Sequence, residues 1–251
     1  MPLIMIRRLN AKAAEFGHSI VFFFQFLGHL FYALTHNFKK VTWGSMMYPT
    51  LRSGYLIVFP LMIMSMLIGM SLTLSINHTL ARYNLQHEAL RIAQTNILRN
   101  IAPLPIGFVL CVQGGLNLID RNHPSLHLPP DKVLWETIIP LIAASGLTGL
   151  ILYTYVFASF ICSIFLTFYY ILELNINEYL VRLDNIIDPF ELSISLIKTF
   201  LYAMIASAIT GFYYYDVAIR VIPIRKAVSR TITRGLFWMI VTGVFLNMVI
   251  N

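Results

Sequence analysis

The chain has few charged residues. Only 12% of its 251 residues are Asp, Glu, Lys or Arg, whereas 58% are hydrophobic. An ordinary soluble domain has about 25% charged residues. Such a small number of charged residues cannot cover a water-exposed surface. The composition therefore excludes a small soluble enzyme and predicts an integral membrane protein.

Cysteine is also scarce. Cys111 and Cys162 both lie inside apolar runs, where a disulfide framework or a metal site is unusual. We interpret both as packing residues. His123 and His127 are four residues apart, but Pro124 between them favours an irregular loop over a helix, and we predict no metal site.

Motifs that carry catalysis are missing from the sequence. It contains no Gly-x-Ser-x-Gly elbow, no His-Glu-x-x-His and no Gly-x4-Gly-Lys-Ser/Thr phosphate loop. We therefore expect no catalytic residue and no cofactor in this chain, and any ATP would be hydrolysed with Mg by another chain. The net charge of +7 favours cytoplasmic loops and anionic lipid headgroups over nucleic acid.

What the sequence does have is long uncharged runs. They predict an all-α integral membrane protein, one membrane domain over residues 1–251, with five spans at about 55–77, 101–119, 137–172, 192–215 and 231–250. A sixth run, 17–38, carries a narrow polar stripe of His18, Gln25, His29 and His36, which predicts an amphipathic helix lying in the interface with its Phe-rich face in the acyl chains. The alternative is a true span with this stripe against other helices.

Positive charge decides how often the chain crosses. The run 137–172 fits either one long helix or a hairpin of two spans near Gly146 and Gly149. One helix keeps the basic cluster between Arg220 and Arg234 on the same side as the basic N-terminus, as the positive-inside rule requires. We therefore predict five spans, with the N-terminus cytoplasmic and the C-terminus outside.

Polar residues inside spans are costly and are candidates for function. Lys198 lies about 9 Å into its span by helical rise, and we expect its side chain to snorkel to the outer headgroups in a structural role. Gln113 and Asn117 flank Gly114 and Gly115, a pattern that favours close helix packing over a substrate site. The acidic segment after the third span is predicted to be a solvated cap; its residues are Glu173, Glu178, Asp184, Asp188 and Glu191.

Three segments resemble a known family. Residues 67–72 read Leu-Ile-Gly-Met-Ser-Leu, similar to F-I-G-M-x-L; residues 98–103 read Leu-Arg-Asn-Ile-Ala-Pro, similar to L-R-E-L-G-P; residues 228–234 read Val-Ser-Arg-Thr-Ile-Thr-Arg, similar to G-R-A-T-T-R. Residues 196–198 also match an L-I-K. In this order and spacing, the chain resembles the MlaE/YrbE-type permeases of lipid-transport ABC systems that work with MCE proteins.

The resemblance implies both an architecture and a function. It implies an in-plane N-terminal helix followed by five spans, in a bacterial inner-membrane permease that moves phospholipid or another hydrophobic molecule. The implied partners are a cytoplasmic ABC ATPase, a periplasmic MCE-domain protein, membrane lipids and a second permease subunit, identical or different. The implied lipid-binding residues are Met70, Leu74, Asn77, Arg99 and Asn100. Arg99 would pair with a lipid phosphate or anchor the helix at the interface.

The chain departs from the family pattern at three places. Asn100 stands where the family has glutamate, and Gln113-Gly114-Gly115 lacks the arginine of A-G-R-A-G. The cytoplasmic segment with Asp120, Arg121, Asp131 and Lys132, which would couple to the ATPase, is about a dozen residues shorter. One hypothesis is a divergent half of a heteromeric permease.

Two other classes of function remain open at this point. A polytopic lipid-modifying enzyme would need convergent polar groups, for which His78, His87 and His123 are the candidates. A structural scaffold subunit of a membrane complex would need no site at all.

Overall fold

The computed structural model describes residues 21–32, 43–83, 85–120, 130–171, 189–220 and 223–250. Within these ranges five helical segments are long and apolar enough to cross a membrane: Thr50–Ala81, Arg91–Leu116, Leu134–Tyr170, Pro189–Val217 and Ile224–Val249. A shorter apolar helix, Val21–Tyr32, precedes them. The predicted fold class, five spans behind a short N-terminal helix, is confirmed.

The helices are numbered in chain order. They are α1 (Val21–Tyr32), α2 (Trp43–Ala81), α3 (Gln86–Asn96), α4 (Pro103–Asp120), α5 (Pro130–Val133), α6 (Ile139–Leu166), α7 (Pro189–Arg220) and α8 (Ile224–Ile250). We call the end of the bundle where α2 finishes and α3 begins the distal end, and the opposite end the proximal end.

Two π-helical turns join helices into single spans. Ile97–Ile101 links α3 to α4, and Leu134–Ile138 links α5 to α6. In each case a proline, Pro103 or Pro140, stands just after the turn, and proline crowds the carbonyl four residues before it. The backbone widens, so that the amide of Ala102 donates to the carbonyl of Ile97 at 2.8 Å. The second span therefore starts near Arg91, ten residues before the predicted start.

The long apolar run of the third span is one helix. α6 continues without a break through Gly146 and Gly149, so the hairpin alternative is wrong. These glycines serve packing: a Cβ on Gly149 would lie 2.8 Å from the Cβ of Ala203 on α7. Within a membrane the hydrophobic effect does not drive helices together, and small residues let them approach closely enough to pack.

The most extensive helix contact is that between α2 and α6. The buried stripe of α2 recurs every three or four residues: Thr50, Gly54, Val58, Leu61, Ser65, Gly69 and Thr73. Gly54 faces Thr148 and Gly69 faces Ser163. The opposite face of α2 is left exposed and apolar.

The N-terminal helix packs differently from the expectation. Phe22 and Phe26 are buried against Phe212 and Tyr215 of α7, so part of the aromatic face that was expected in the acyl chains packs on protein. Among the phenylalanines of the described segment Val21–Tyr32, Phe24 and Phe31 fit the expectation, at 65% and 71% exposure. The reason is a matching aromatic surface on α7. His18 and His36 lie outside the described residues.

The close approach of α6 and α7 gives a prediction. Gly149→Ala should lower the melting temperature in detergent, because Ala203 has no flexible end to move and overpacking costs about 1–3 kcal/mol. Gly28→Ala is the matched control, since a Cβ there meets nothing within 4 Å. Equal melting temperatures for Gly149→Ala and the unmodified chain would contradict this packing.

Candidate functional site

Five polar side chains gather at the distal end of the bundle. Arg99 and Asn100 come from the π-helical turn between α3 and α4, Glu191 and Lys198 from α7, and Asn247 from α8. We call these residues the distal cluster. It joins three elements that are far apart in sequence.

Lys198 is the deepest member of the distal cluster. Its Nζ donates to Oδ1 of Asn100 at 3.0 Å and to Oδ1 of Asn247 at 2.5 Å, and the residue is only 2% exposed. The expectation that it snorkels is wrong, because two amide acceptors lie inside the bundle at its own depth. The cost of burying a cation is reduced by these hydrogen bonds.

Arg99 forms an ion pair with Glu191. Its Nη1 lies 3.1 Å from Oε1 of Glu191, and the two side chains are 15% and 30% exposed. Glu191 is therefore not part of a solvated cap, because α7 begins at Pro189 and its first turn brings the carboxylate to the π-helical turn. The other four acidic residues of that predicted cap lie outside the described residues.

A further hydrogen bond fixes the π-helical turn against α7. Because Ala102 donates to Ile97 and Pro103 has no N–H, the carbonyl of Leu98 remains available. Ser195 Oγ donates to it at 2.7 Å. The same distortion that widens the helix therefore holds Arg99 and Asn100 beside α7.

Met70, Leu74 and Asn77 lie on a different helix from the distal cluster. Their spacing of four and three residues places them on one face of the distal half of α2. Met70 and Asn77 are half-buried and Leu74 is 36% exposed. The structure thus brings Arg99 and Asn100 together with Lys198, and leaves the α2 residues at the border of an exposed face.

The predicted coupling residues lie at the proximal end. Asp120 ends α4, and Asp131 and Lys132 lie in α5. Lys132 is exposed, whereas Arg121 lies outside the described residues.

Of the histidines considered for an enzyme, His78 is exposed on α2 and His123 lies outside the described ranges. In the described part of the chain, no three His, Cys, Asp or Glu side chains are grouped so that they could hold a metal ion.

Gln113 lines a small cavity between α2, α4, α6 and α7. The cavity has about 20 Å³, and its lining is Thr50, Leu110, Gln113, Gly114, Leu141, Ser145, Ser207 and Thr210. It has room for about one water molecule, whereas a lipid-sized ligand needs hundreds of Å³. A Cβ on Gly114 would collide with Thr210. The close-packing interpretation of this segment therefore agrees with the geometry.

Sequence reasoning missed two residues. Asn247 was overlooked although it is an isolated amide in the apolar run of the last span, a signal that points to a partner. Asp216, which is 4% exposed, was placed beyond the fourth span, but α7 continues to Arg220. Near it, Arg234 lies over the ring of Tyr213 at 5.7 Å.

The family model described as Permease MlaE matches residues 134–249. That segment covers α6, α7 and nearly all of α8, and it contains Glu191, Lys198 and Asn247. Over these residues, which are somewhat less than half of the chain, the chain is similar to the MlaE permeases. The earlier resemblance is confirmed. No curated protein matches the chain.

The match to the MlaE permease model supports the general role. The chain is a multi-pass membrane protein and a permease subunit of ABC-type transport. Met70, Arg99 and Asn100 lie before the matched segment, so their roles depend on the geometry and on the resemblance of residues 67–72 and 98–103.

The hydrogen bonds of the distal cluster give a prediction. Asn247→Ala should destabilise the protein by about 1.5–3 kcal/mol, because Lys198 loses a charge-assisted hydrogen bond while it stays buried. Thermal melting in detergent measures the effect. Asn96→Ala is the control: Asn96 is exposed and donates within its own helix, to the carbonyl of Ile92 at 3.0 Å, so its loss should cost no more than about 0.5 kcal/mol. Equal shifts for both variants would contradict a stabilising role of Asn247.

Proposed function

We propose that this MlaE-family permease moves phospholipid or a similar hydrophobic molecule between the inner membrane and a periplasmic MCE-domain protein. The observation that carries the proposal is the distal cluster, a small charged site at one end of a bundle whose spans are otherwise almost wholly apolar. Such a site suits an amphiphile, since a lipid has one polar group and a long apolar body.

The lipid pocket would form between two permease subunits. The first and last spans are only 28% and 11% buried, against 44–50% for the other three. The exposed face of α2 includes large side chains such as Leu56, Phe59 and Leu67, each 62–72% exposed. A second subunit, identical or different, would close over Met70, Leu74 and Asn77 at the border of this face.

Arg99 would bind the lipid phosphate. A guanidinium binds phosphate with two parallel hydrogen bonds, and Glu191 holds this guanidinium at the partly exposed edge of the distal cluster. Phosphate would then compete with the Glu191 carboxylate. The rival role for Arg99, a helix anchor at the interface, needs no ligand.

Energy would come from a cytoplasmic ABC ATPase that hydrolyses ATP with Mg. The proximal end would face the cytoplasm, since it carries Arg225, Lys226, Arg230 and Arg234. Asp120, Arg121, Asp131 and Lys132 would contact the ATPase. Nucleotide can move lipid only by favouring a state of the permease with a different lipid affinity.

The pocket is tested by filling it. Leu74→Trp should greatly reduce the lipid that copurifies with the complex in mild detergent, because the indole occupies the space that a lipid chain would take. Leu56→Trp is the matched control: it lies on the same face of α2, 18 residues or about 27 Å away along the helix. Lipid transport in reconstituted vesicles should likewise be reduced in Leu74→Trp and retained in Leu56→Trp.

Two results would contradict the pocket. Unchanged lipid binding and transport in Leu74→Trp would favour a scaffold subunit. Lipid turnover that depends on His78 would favour a lipid-modifying enzyme.

The coupling residues are tested by copurification. Replacing Asp120, Arg121, Asp131 and Lys132 by alanine should reduce the copurified ATPase by at least about tenfold, because charged contacts that fix an interface are lost. A variant with Arg225→Ala and Lys226→Ala removes exposed charge from the same end and should retain the ATPase. Retention in both variants would place the contact elsewhere on the chain.

A further inference from the structure

One face of α7 contacts three consecutive residues of the π-helical turn Ile97–Ile101. Its side chains Glu191, Ser195 and Lys198 are spaced by four and three residues, which places them along one line of the helix. Their partners are, in the same order, the side chain of Arg99, the backbone carbonyl of Leu98 and the side chain of Asn100. Of these three contacts, that of Ser195 is made to the backbone of the turn.

The contact of Ser195 is short and buried. Its Oγ donates to the carbonyl of Leu98 at 2.7 Å, and the residue is 0% exposed. Pro103 has no backbone N–H to donate to this carbonyl, so a side chain of α7 takes a role that a helix backbone usually fills. A backbone polar group inside a membrane needs a hydrogen-bond partner. The position of the turn therefore depends on this hydroxyl.

Arg99 directly follows Leu98, so the direction of its guanidinium depends on how the turn is held. Glu191 also orients the guanidinium, through the ion pair at 3.1 Å, but under the proposed function a lipid phosphate competes with that carboxylate. Ser195 bonds a backbone atom and does not compete with the phosphate. Its contact would therefore persist in both the free and the lipid-bound site.

We propose that Ser195 is a positioning residue for headgroup recognition, because it holds the π-helical turn where Arg99 meets the phosphate of a lipid. The proposal rests on the proposed function, since it concerns the same site. Ser195 does not itself touch the lipid. It acts by fixing the turn before the lipid binds, and a group that is already oriented loses less freedom on binding.

The test compares a lipid that has a phosphate with one that lacks it. Dissociation constants of phosphatidylglycerol and of diacylglycerol with the same acyl chains are measured by native mass spectrometry, on the full chain with its copurifying partners in dodecyl maltoside. Ser195→Ala should weaken phosphatidylglycerol binding about three- to tenfold, the scale of one hydrogen bond, and leave diacylglycerol binding unchanged. A purely structural role would weaken the binding of both lipids alike.

A double-mutant cycle tests whether Ser195 acts through Arg99. In the Arg99→Gln background the guanidinium is absent, so Ser195 has no phosphate-binding group to position. Adding Ser195→Ala to this background should change phosphatidylglycerol binding by less than about twofold, which is the usual error of additivity between independent sites.

Two further variants serve as control and as substitute. Thr210→Ala removes another buried hydroxyl of α7, one that donates to the carbonyl of Ala206 at 2.8 Å, and it should leave the binding of both lipids unchanged. Ser195→Cys keeps a side chain of similar size with a weaker donor. It should weaken phosphatidylglycerol binding in the same selective way, and it replaces Ser195→Ala where that variant fails to fold.

The outcomes separate this proposal from the proposed function. A selective loss of phosphatidylglycerol binding that disappears in the Arg99→Gln background supports the positioning role. Equal losses for both lipids, a loss that persists in Arg99→Gln, the same loss in Thr210→Ala, or no loss at all would overturn it while leaving a lipid permease. If the unmodified protein binds neither lipid, or if Arg99→Gln binds phosphatidylglycerol as tightly as the unmodified protein does, the proposed role of Arg99 fails as well.

Discussion

An ammonium group inside a membrane bundle must be solvated by protein, and the distal end of this molecule is arranged around that requirement. The Nζ of Lys198 is held by amide oxygens from the α3–α4 junction and from α8. Three segments of the chain are thereby joined at one point. Because each hydrogen bond to a charged group is stronger than one between neutral groups, this point is a strong constraint on the distal ends of α7 and α8.

A second constraint comes from the interior packing of the spans. α2 and α6 contact along small and hydroxyl-bearing residues, and α6 approaches α7 where Gly149 meets Ala203. These contacts need no charge and tolerate little added volume. Among the described residues, charged side chains are therefore confined to the ends of the bundle, while the middle is close-packed from apolar and hydroxyl-bearing side chains.

Much of the fold could be predicted from the sequence, because span length and charge asymmetry are local properties. Uncharged runs gave the five spans, and the basic stretch before the last span correctly favoured one long third helix. Burial of Lys198 could not be predicted in this way, since its acceptors are 98 and 49 residues away in sequence. Likewise, the sequence does not distinguish Glu191 from its acidic neighbours. It lies beside Arg99 because α7 begins at Pro189.

The candidate site was predicted only in part. Arg99 and Asn100 were identified through their resemblance to a family motif, and the structure places them with Lys198. Asn247 completes the arrangement. Because it is a single uncharged residue, it changes the hydropathy of the last span only a little. Met70, Leu74 and Asn77 were also identified through the resemblance, and the structure places them on α2, apart from the distal cluster.

Pro103 donates no hydrogen bond to the charged residues of the distal cluster, yet it contributes to the shape of this cluster. Because it has no backbone N–H, Pro103 cannot donate to the Leu98 carbonyl, and this carbonyl accepts a hydrogen bond from Ser195 of α7. The geometry of the distal cluster thus depends on a residue that has no backbone N–H to donate.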